Sequence, residues 1–205
     1  MMKLYYSPGS CALGIHILLE EIGAPFELQR LNFAAREQYG EDYLTLNPKS
    51  KVPALQLDDG QVLTEYQAIS TYLALTHPEK HLIPADPHDV ARMYEALDYV
   101  VGTLHAQGFA RIARSGNFTP KPEDEPAVKA RGQEIFDRGL ALIDATVADK
   151  DWVAGDFSIA DPALFYVCFW KTTRLKQELP VNLAGHFGRM MHRPSVKKAL
   201  ADEGL

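Results

Sequence analysis

Two kinds of periodicity divide the chain. Residues 3–7 form a short apolar and aromatic run closed by Pro8-Gly9, the pattern of a strand that ends in a turn. Ile15, Leu18, Leu19 and Ile22 then recur at helical spacing, Leu13 and Ile17 widen that face, and Glu20-Glu21 lie opposite. Ser10 is placed to cap this helix, and Gly23 followed by Pro25 ends it. Phe26 and Leu28 alternate with Glu27 and Gln29 as far as Leu31, which predicts a second strand. Strand, helix, strand makes a unit with a parallel pair and a right-handed crossover. A mostly polar stretch, residues 32–42, and the turn residues 47–51 come next. Residues 52–57 read as a strand whose Pro53 belongs at its start or on an edge. Asp58-Asp59-Gly60 predicts a hairpin, residues 61–64 its return strand, and Ala68, Ile69, Tyr72, Leu73 and Leu75 a helix.

Beyond this point the period changes. Residues 77–89 carry Pro78, Pro84 and Pro87 and no apolar repeat, which predicts a linker. Every periodic segment after it is helical: residues 90–113, 127–147, 162–172, 183–191 and 195–200. Ser158 and Asp161 have capping-box spacing at the start of the third of these. The expectation is therefore α/β plus all-α: a βαβ–ββα domain in residues 1–77, a linker in 78–88 and an all-helical domain in 89–205.

Composition narrows the class. The 205 residues are 46% hydrophobic and 23% charged, enough for a sizeable core in one large domain or two small ones. Twenty-seven acidic against 21 basic residues exclude a generally basic nucleic-acid binder. Two cysteines cannot make the disulfide framework of a small secreted domain. Pro8-Gly9 interrupts the first apolar run before a signal-peptide core develops. No stretch of about 18 apolar residues occurs, so no membrane partner is expected and the expected location is the cytoplasm.

Most of the candidate chemistry lies in the first half. Cys11 falls between a strand and a helix, where the unpaired N–H groups of a helix start favour thiolate. Gly14 stands where a C-x-x-C motif would have its second cysteine, so a dithiol redox centre is disfavoured. The plainer reading of Cys11 is a small residue packed behind the strand. A cis Val52–Pro53 bond would turn the Val52 N–H and C=O outward, free to pair with a peptide-like ligand. The plainer reading is an edge-strand proline. Glu65, at a helix start, can accept from an ammonium while the first helical amides, from Tyr66 on, hold a carboxylate; together they suit the α-amino-acid end of a ligand. Such an acid is also common simply as a complement to the helix dipole. His105 lies on the first long helix of the second half; like His16 and His192, it has packing as its plainer reading. His77 and His81 stand four apart in the linker with no cysteine near them, and no metal site is expected. Cys168, flanked by Phe165, Tyr166, Phe169 and Trp170, reads as core.

Taken together these segments resemble the glutathione transferase superfamily over essentially the whole chain. The resemblance rests on residues 5–11, on Leu46-Asn47-Pro48-Lys49 with Val52-Pro53, and on Leu63-Thr64-Glu65 with Ala68-Ile69. It rests further on Gly155-Asp156 with the segment from Ser158 to Asp161, and on Arg193-Pro194 with Val196. Within the superfamily the chain is most similar to the bacterial beta class, through Cys11, His105 and the closing Asp202-Glu203-Gly204-Leu205. The resemblance implies a thioredoxin-like first domain, an all-helical second domain and a homodimer. It implies a detoxifying transferase that joins glutathione, as co-substrate and with no resident cofactor, to a hydrophobic electrophile. Thiol transfer through Cys11 is a further implied activity. Glutathione would be held by the Val52 backbone beside Pro53, by Glu65 and by the amides opening the helix at Tyr66. Arg36 would lie near its glycine end, and Asp98 would come from the partner subunit. Catalysis would fall to Cys11, Ser10 and His105, with His105 hydrogen-bonding the thiolate. The co-substrate would meet helical-domain residues such as Phe109, Ile112 and Trp170. Tyr66 stands where the family usually has Ser or Gly, and Ala12 where a hydroxyl residue is frequent. These departures keep a rival open, a non-catalytic glutathione- or ligand-binding protein on the same fold.

Overall fold

The computed structural model describes all residues from Met1 to Leu205, which divide into two compact units: residues 1–83 with 189–205, and residues 84–188. In the first unit β1 (Met2–Tyr6), α1 (Ala12–Ile22) and β2 (Phe26–Arg30) form the expected strand–helix–strand. A short α2 (Glu41–Leu46) precedes β3 (Ala54–Gln56), β4 (Val62–Thr64) and α3 (Tyr66–Thr76). This is the βαβ–ββα order of a thioredoxin-like domain. The sheet runs β2-β1-β3-β4, with β1 and β2 parallel and the other neighbours antiparallel. Tyr5 pairs with Ala54, and Ala54 with Thr64. The end of β1, the start of β3 and the end of β4 therefore share one edge, and α1 and α3 both open there.

The second unit contains α4 (Pro87–Asp98), a π-helical stretch (Tyr99–Phe109), α5 (Ala110–Ala113), α6 (Glu125–Thr146) and α7 (Ala160–Thr173). The division between units falls within α8 (Val181–His192), and α9 (Pro194–Glu203) belongs to the first unit. The single helix expected over residues 90–113 is helical throughout, but its middle is widened into π geometry, to which apolar spacing is insensitive. Glycines let α6 approach this helix closely. A Cβ at Gly132 would stand 2.7 Å from Arg111 Cβ, and one at Gly139 would collide with Leu104.

One boundary differs from the expected division. Residues 189–205 were assigned by periodicity to the helical domain, yet α9 packs along α1. Its Val196, Ala199 and Leu200 are buried, and α1 is buried along nearly its whole length from Ala12 to Leu19. Helical spacing shows which face of α9 is apolar, not which element covers it. No helix is long and apolar enough to cross a membrane.

Candidate functional site

The shared sheet edge places most of the expected residues of the first unit. After Tyr6 the chain turns through Gly9, whose φ of +63° suits glycine, and Ser10 N–H bonds to Ser7 O at 3.0 Å. Ser10, expected to cap this helix, stands one residue before the N-cap position, and its Oγ accepts from Ala12 N at 3.3 Å. Cys11 flanks the helix without capping it, and its Sγ donates instead to Val52 O at 3.3 Å. The Val52–Pro53 bond is cis. The expectation that both Val52 backbone groups stay open is thus corrected for the carbonyl, which receives the Cys11 thiol. Two unforeseen residues steady this loop. Lys51 O accepts from Tyr43 Oη at 2.5 Å and from Asn47 Nδ2 at 2.8 Å, and Asn47 is buried. An asparagine inside a turn segment was the available signal for Asn47; Tyr43 gave none.

Glu65 opens α3 with φ +73°, a conformation that side-chain-bearing residues rarely adopt. Its Oε1 accepts from Lys49 Nζ at 2.7 Å, and the same ammonium reaches Thr64 Oγ1 at 2.9 Å. A carboxylate holding an ammonium is the chemistry expected of Glu65, here supplied by a lysine that the sequence reading had not singled out. Tyr66, the first residue of α3, is buried, so its bulk goes into the unit rather than out from the helix start. Arg36 is exposed with φ +59°, and its guanidinium lies 5.0 Å from the Tyr39 ring centroid.

In the second unit His105 lies in the π-helical stretch, with Nδ1 3.3 Å from Tyr166 Oη and its ring edge-on to Trp170 at 4.8 Å. Phe109 stacks on Trp170 at 4.3 Å; both are buried, while Ile112 is half-buried. Asp98 ends α4 and is exposed. Cys168 is fully buried, and that burial pushes its thiol up to about 12. It stays protonated at neutral pH, as a core cysteine should. Of the two thiols only Cys11, half-buried at a helix start, is placed for chemistry.

A further residue, legible in the sequence only as part of the closing motif, anchors the Cys11 turn. Glu203, on α9, accepts from Gly9 N at 2.8 Å through Oε2, and its Oε1 lies 3.1 Å from His16 Nδ1. Both side chains are buried. Burial, and then the Glu203 charge, push the Tyr6 hydroxyl above its ordinary range.

Residues 8–76 match the family model described as "Glutathione S-transferase, N-terminal domain". The chain is 38% identical over 208 residues to glutathione S-transferase GstA of Escherichia coli O157:H7, covering all of both chains. Its fold is similar to the crystal structure of a Sulfitobacter glutathione transferase homologue with bound glutathione, with TM-score 0.91, 32% identity, and 100% and 98% of the two chains covered. It is also similar to a bacterial beta class glutathione S-transferase of Sphingomonas chungbukensis, with TM-score 0.83, 36% identity and 99% of each chain covered.

Proposed function

The chain belongs to the glutathione S-transferase family of transferases, and on that footing we propose that it binds glutathione at the sheet edge of its first unit and joins it to hydrophobic electrophiles. One observation carries this reading: the edge presents a thiol on the Val52 carbonyl and, at the start of α3, a carboxylate already holding an ammonium. Glutathione is an extended peptide with a thiol at its centre and an α-amino acid at one end. Its backbone pairs with Val52 beside Pro53, its ammonium replaces that of Lys49 on Glu65, and its α-carboxylate takes the first amides of α3 at Tyr66. Arg36 serves its glycine carboxylate, and Asp98 of the partner subunit completes the site in a homodimer. Its sulfur lies by Ser10 and Cys11, where the start of α1 favours thiolate. His105 donates a hydrogen bond to that thiolate, a role that rests on the family resemblance. The thiolate sulfur bonds to the electrophilic carbon while the thiol proton and any leaving group depart, so no resident cofactor is needed. In the accompanying thiol transfer, Cys11 attacks the glutathione sulfur of a mixed disulfide, releases the other thiol, and is freed by a second glutathione. A reducing location, the cytoplasm, suits an open Cys11.

The test is retention on immobilised glutathione followed by turnover of a generic aromatic electrophile and of a glutathione mixed disulfide. The wild-type chain is expected to bind and to turn over. Cys11→Ala is expected to lose disulfide turnover and to slow conjugation about tenfold or more, corresponding to about 1.4 kcal/mol in the barrier. Failure of the wild type to bind overturns the reading. Binding without any turnover selects the non-catalytic binding protein instead.

A further inference from the structure

We propose that the first unit carries a divalent-cation site of the zinc type, formed by His16 Nε2, Glu20 Oε1 and Asp202 Oδ2, on the face of α1 where α9 packs. Glu203 accepts the Gly9 N–H, and as a carboxylate it can only accept from His16 Nδ1. The Nδ1 hydrogen is therefore fixed, and Nε2 is the nitrogen left to take a metal ion. That nitrogen makes no hydrogen bond, although the side chain is 0% exposed. What it faces is acidic: Asp202 Oδ2 at 3.7 Å and Glu20 Oε1 at 3.8 Å. A buried ring nitrogen opposite two carboxylates calls for a positive charge between them, which a ring proton or a bound metal ion supplies.

The donor set suits a borderline metal. One imidazole and two carboxylates can hold zinc with water in the remaining position. The three donor atoms lie within 4.8 Å of one another. Tetrahedral zinc, at about 2.0–2.1 Å from each donor, needs them roughly 3.3 Å apart, so each carboxylate closes on His16 Nε2 by about half an ångström and the two carboxylates draw together between them. The shell behind it is already in place, because a carboxylate on the far nitrogen of a ligating histidine fixes its tautomer and orientation, and Glu203 does this for His16. Access is open. Tyr6, Phe26, Leu28, Glu20, Lys198 and Asp202 line a cleft of about 630 Å³. The Lys198 ammonium stands 2.5 Å from Asp202 Oδ2 and 3.7 Å from Glu20 Oε1, on a side chain 58% exposed. It is a movable competitor for the two carboxylates and leaves Nε2 unserved. The sequence pointed to no metal site because these donors meet only when α9 lies on α1.

The test is calorimetric titration of the full chain, stripped with chelator and kept reduced, with zinc chloride. One zinc ion per chain is expected. Asp202→Asn and Glu20→Gln should each weaken binding tenfold or more, and Lys198→Ala should tighten it. Asp86→Asn, in the exposed Asp86, His88 and Asp89 cluster, and Cys11→Ser should leave it unchanged. His16 itself is buried and its replacement endangers folding, so the two carboxylate variants carry the test. The proposal is overturned if no one-to-one binding occurs, if both carboxylate variants bind as the wild type does, or if only Cys11→Ser abolishes binding.

Discussion

Each unit buries one carboxylate against one histidine, and the two pairs are built in opposite ways. In the second unit Asp161 Oδ1 accepts from Val153 N and His186 Nε2, each at 2.9 Å, while Oδ2 accepts from Ser158 N at 2.8 Å and Ser158 Oγ at 3.2 Å. Most of those donors lie within a few residues of it, at the opening of α7. In the first unit the partners of Glu203 come from the other end of the sequence. The histidines differ as well. The second nitrogen of His186, Nδ1, also makes no hydrogen bond, and both rings have an edge-on aromatic neighbour, Trp152 at 5.9 Å from His186 and Phe26 at 5.6 Å from His16. His16 turns its spare nitrogen toward Glu20 and Asp202. The same two functional groups make, in one unit, a fastener whose carboxylate accepts four hydrogen bonds and, in the other, a long-range brace for a reactive turn with coordination capacity left over.

The comparison is broken most severely at Asp161. Asp161→Ala strands the buried Val153 and Ser158 amides and His186 together, and should cost about 3–5 kcal/mol, seen in urea denaturation or as loss of soluble protein. Glu203→Gln keeps the shape but leaves one carbonyl oxygen for two donors, so a smaller loss of about 1–3 kcal/mol is expected. Its second signature is faster alkylation of Cys11 with Cys168 still unreactive, measured by mass spectrometry of labelled peptides. If Glu203→Gln proves costlier than Asp161→Ala, the distant pair is the stronger fastener and the ranking fails.

The smallest effect is expected at the second tie between α1 and α9. Burial of Glu21 opposes its charge, but Arg193, at 2.6 and 2.8 Å, and Ser195 hydrogen-bond it and hold its carboxyl below the ordinary range. A depressed carboxyl adds stability above its unfolded pKa and loses it as pH falls through the folded value. Glu21→Gln should therefore cost about 1 kcal/mol at neutral pH, and the difference from wild type should vanish in acid. A difference that stays constant from neutral to acid pH would show that the tie does not depend on charge.

The contrast also explains what could be read from the sequence. Ser158 and Asp161 stand at capping-box spacing, so their bond is written in local order, as are Gly23 at the end of α1 and the turn before Cys11. The alternation around Phe26 and the helical spacing from Leu13 to Ile22 are likewise local, and they yielded the strand and the helix. Glu203 and Lys49 stand in recognisable motifs, but their roles were not legible because nothing near them in sequence reveals a partner that only packing supplies. The helix α2 has six residues with only Tyr43 buried, too short for a period to emerge. The π-helical turns around His105 escaped because widening a turn leaves a familiar apolar spacing.

The Gly9–Glu203 bond also sets an order of events. A ribosome makes the Cys11 turn early, but the carboxylate that fastens Gly9 comes 194 residues later, after the whole helical unit. Domains ordinarily fold as units from the N-terminus during synthesis. Here the first unit can assemble its sheet on that schedule, but the bond from the amide two residues before the thiol to Glu203 forms only once α9 has been made and folds back. The Cys11 turn, made well before α9, thus gains this fastening late.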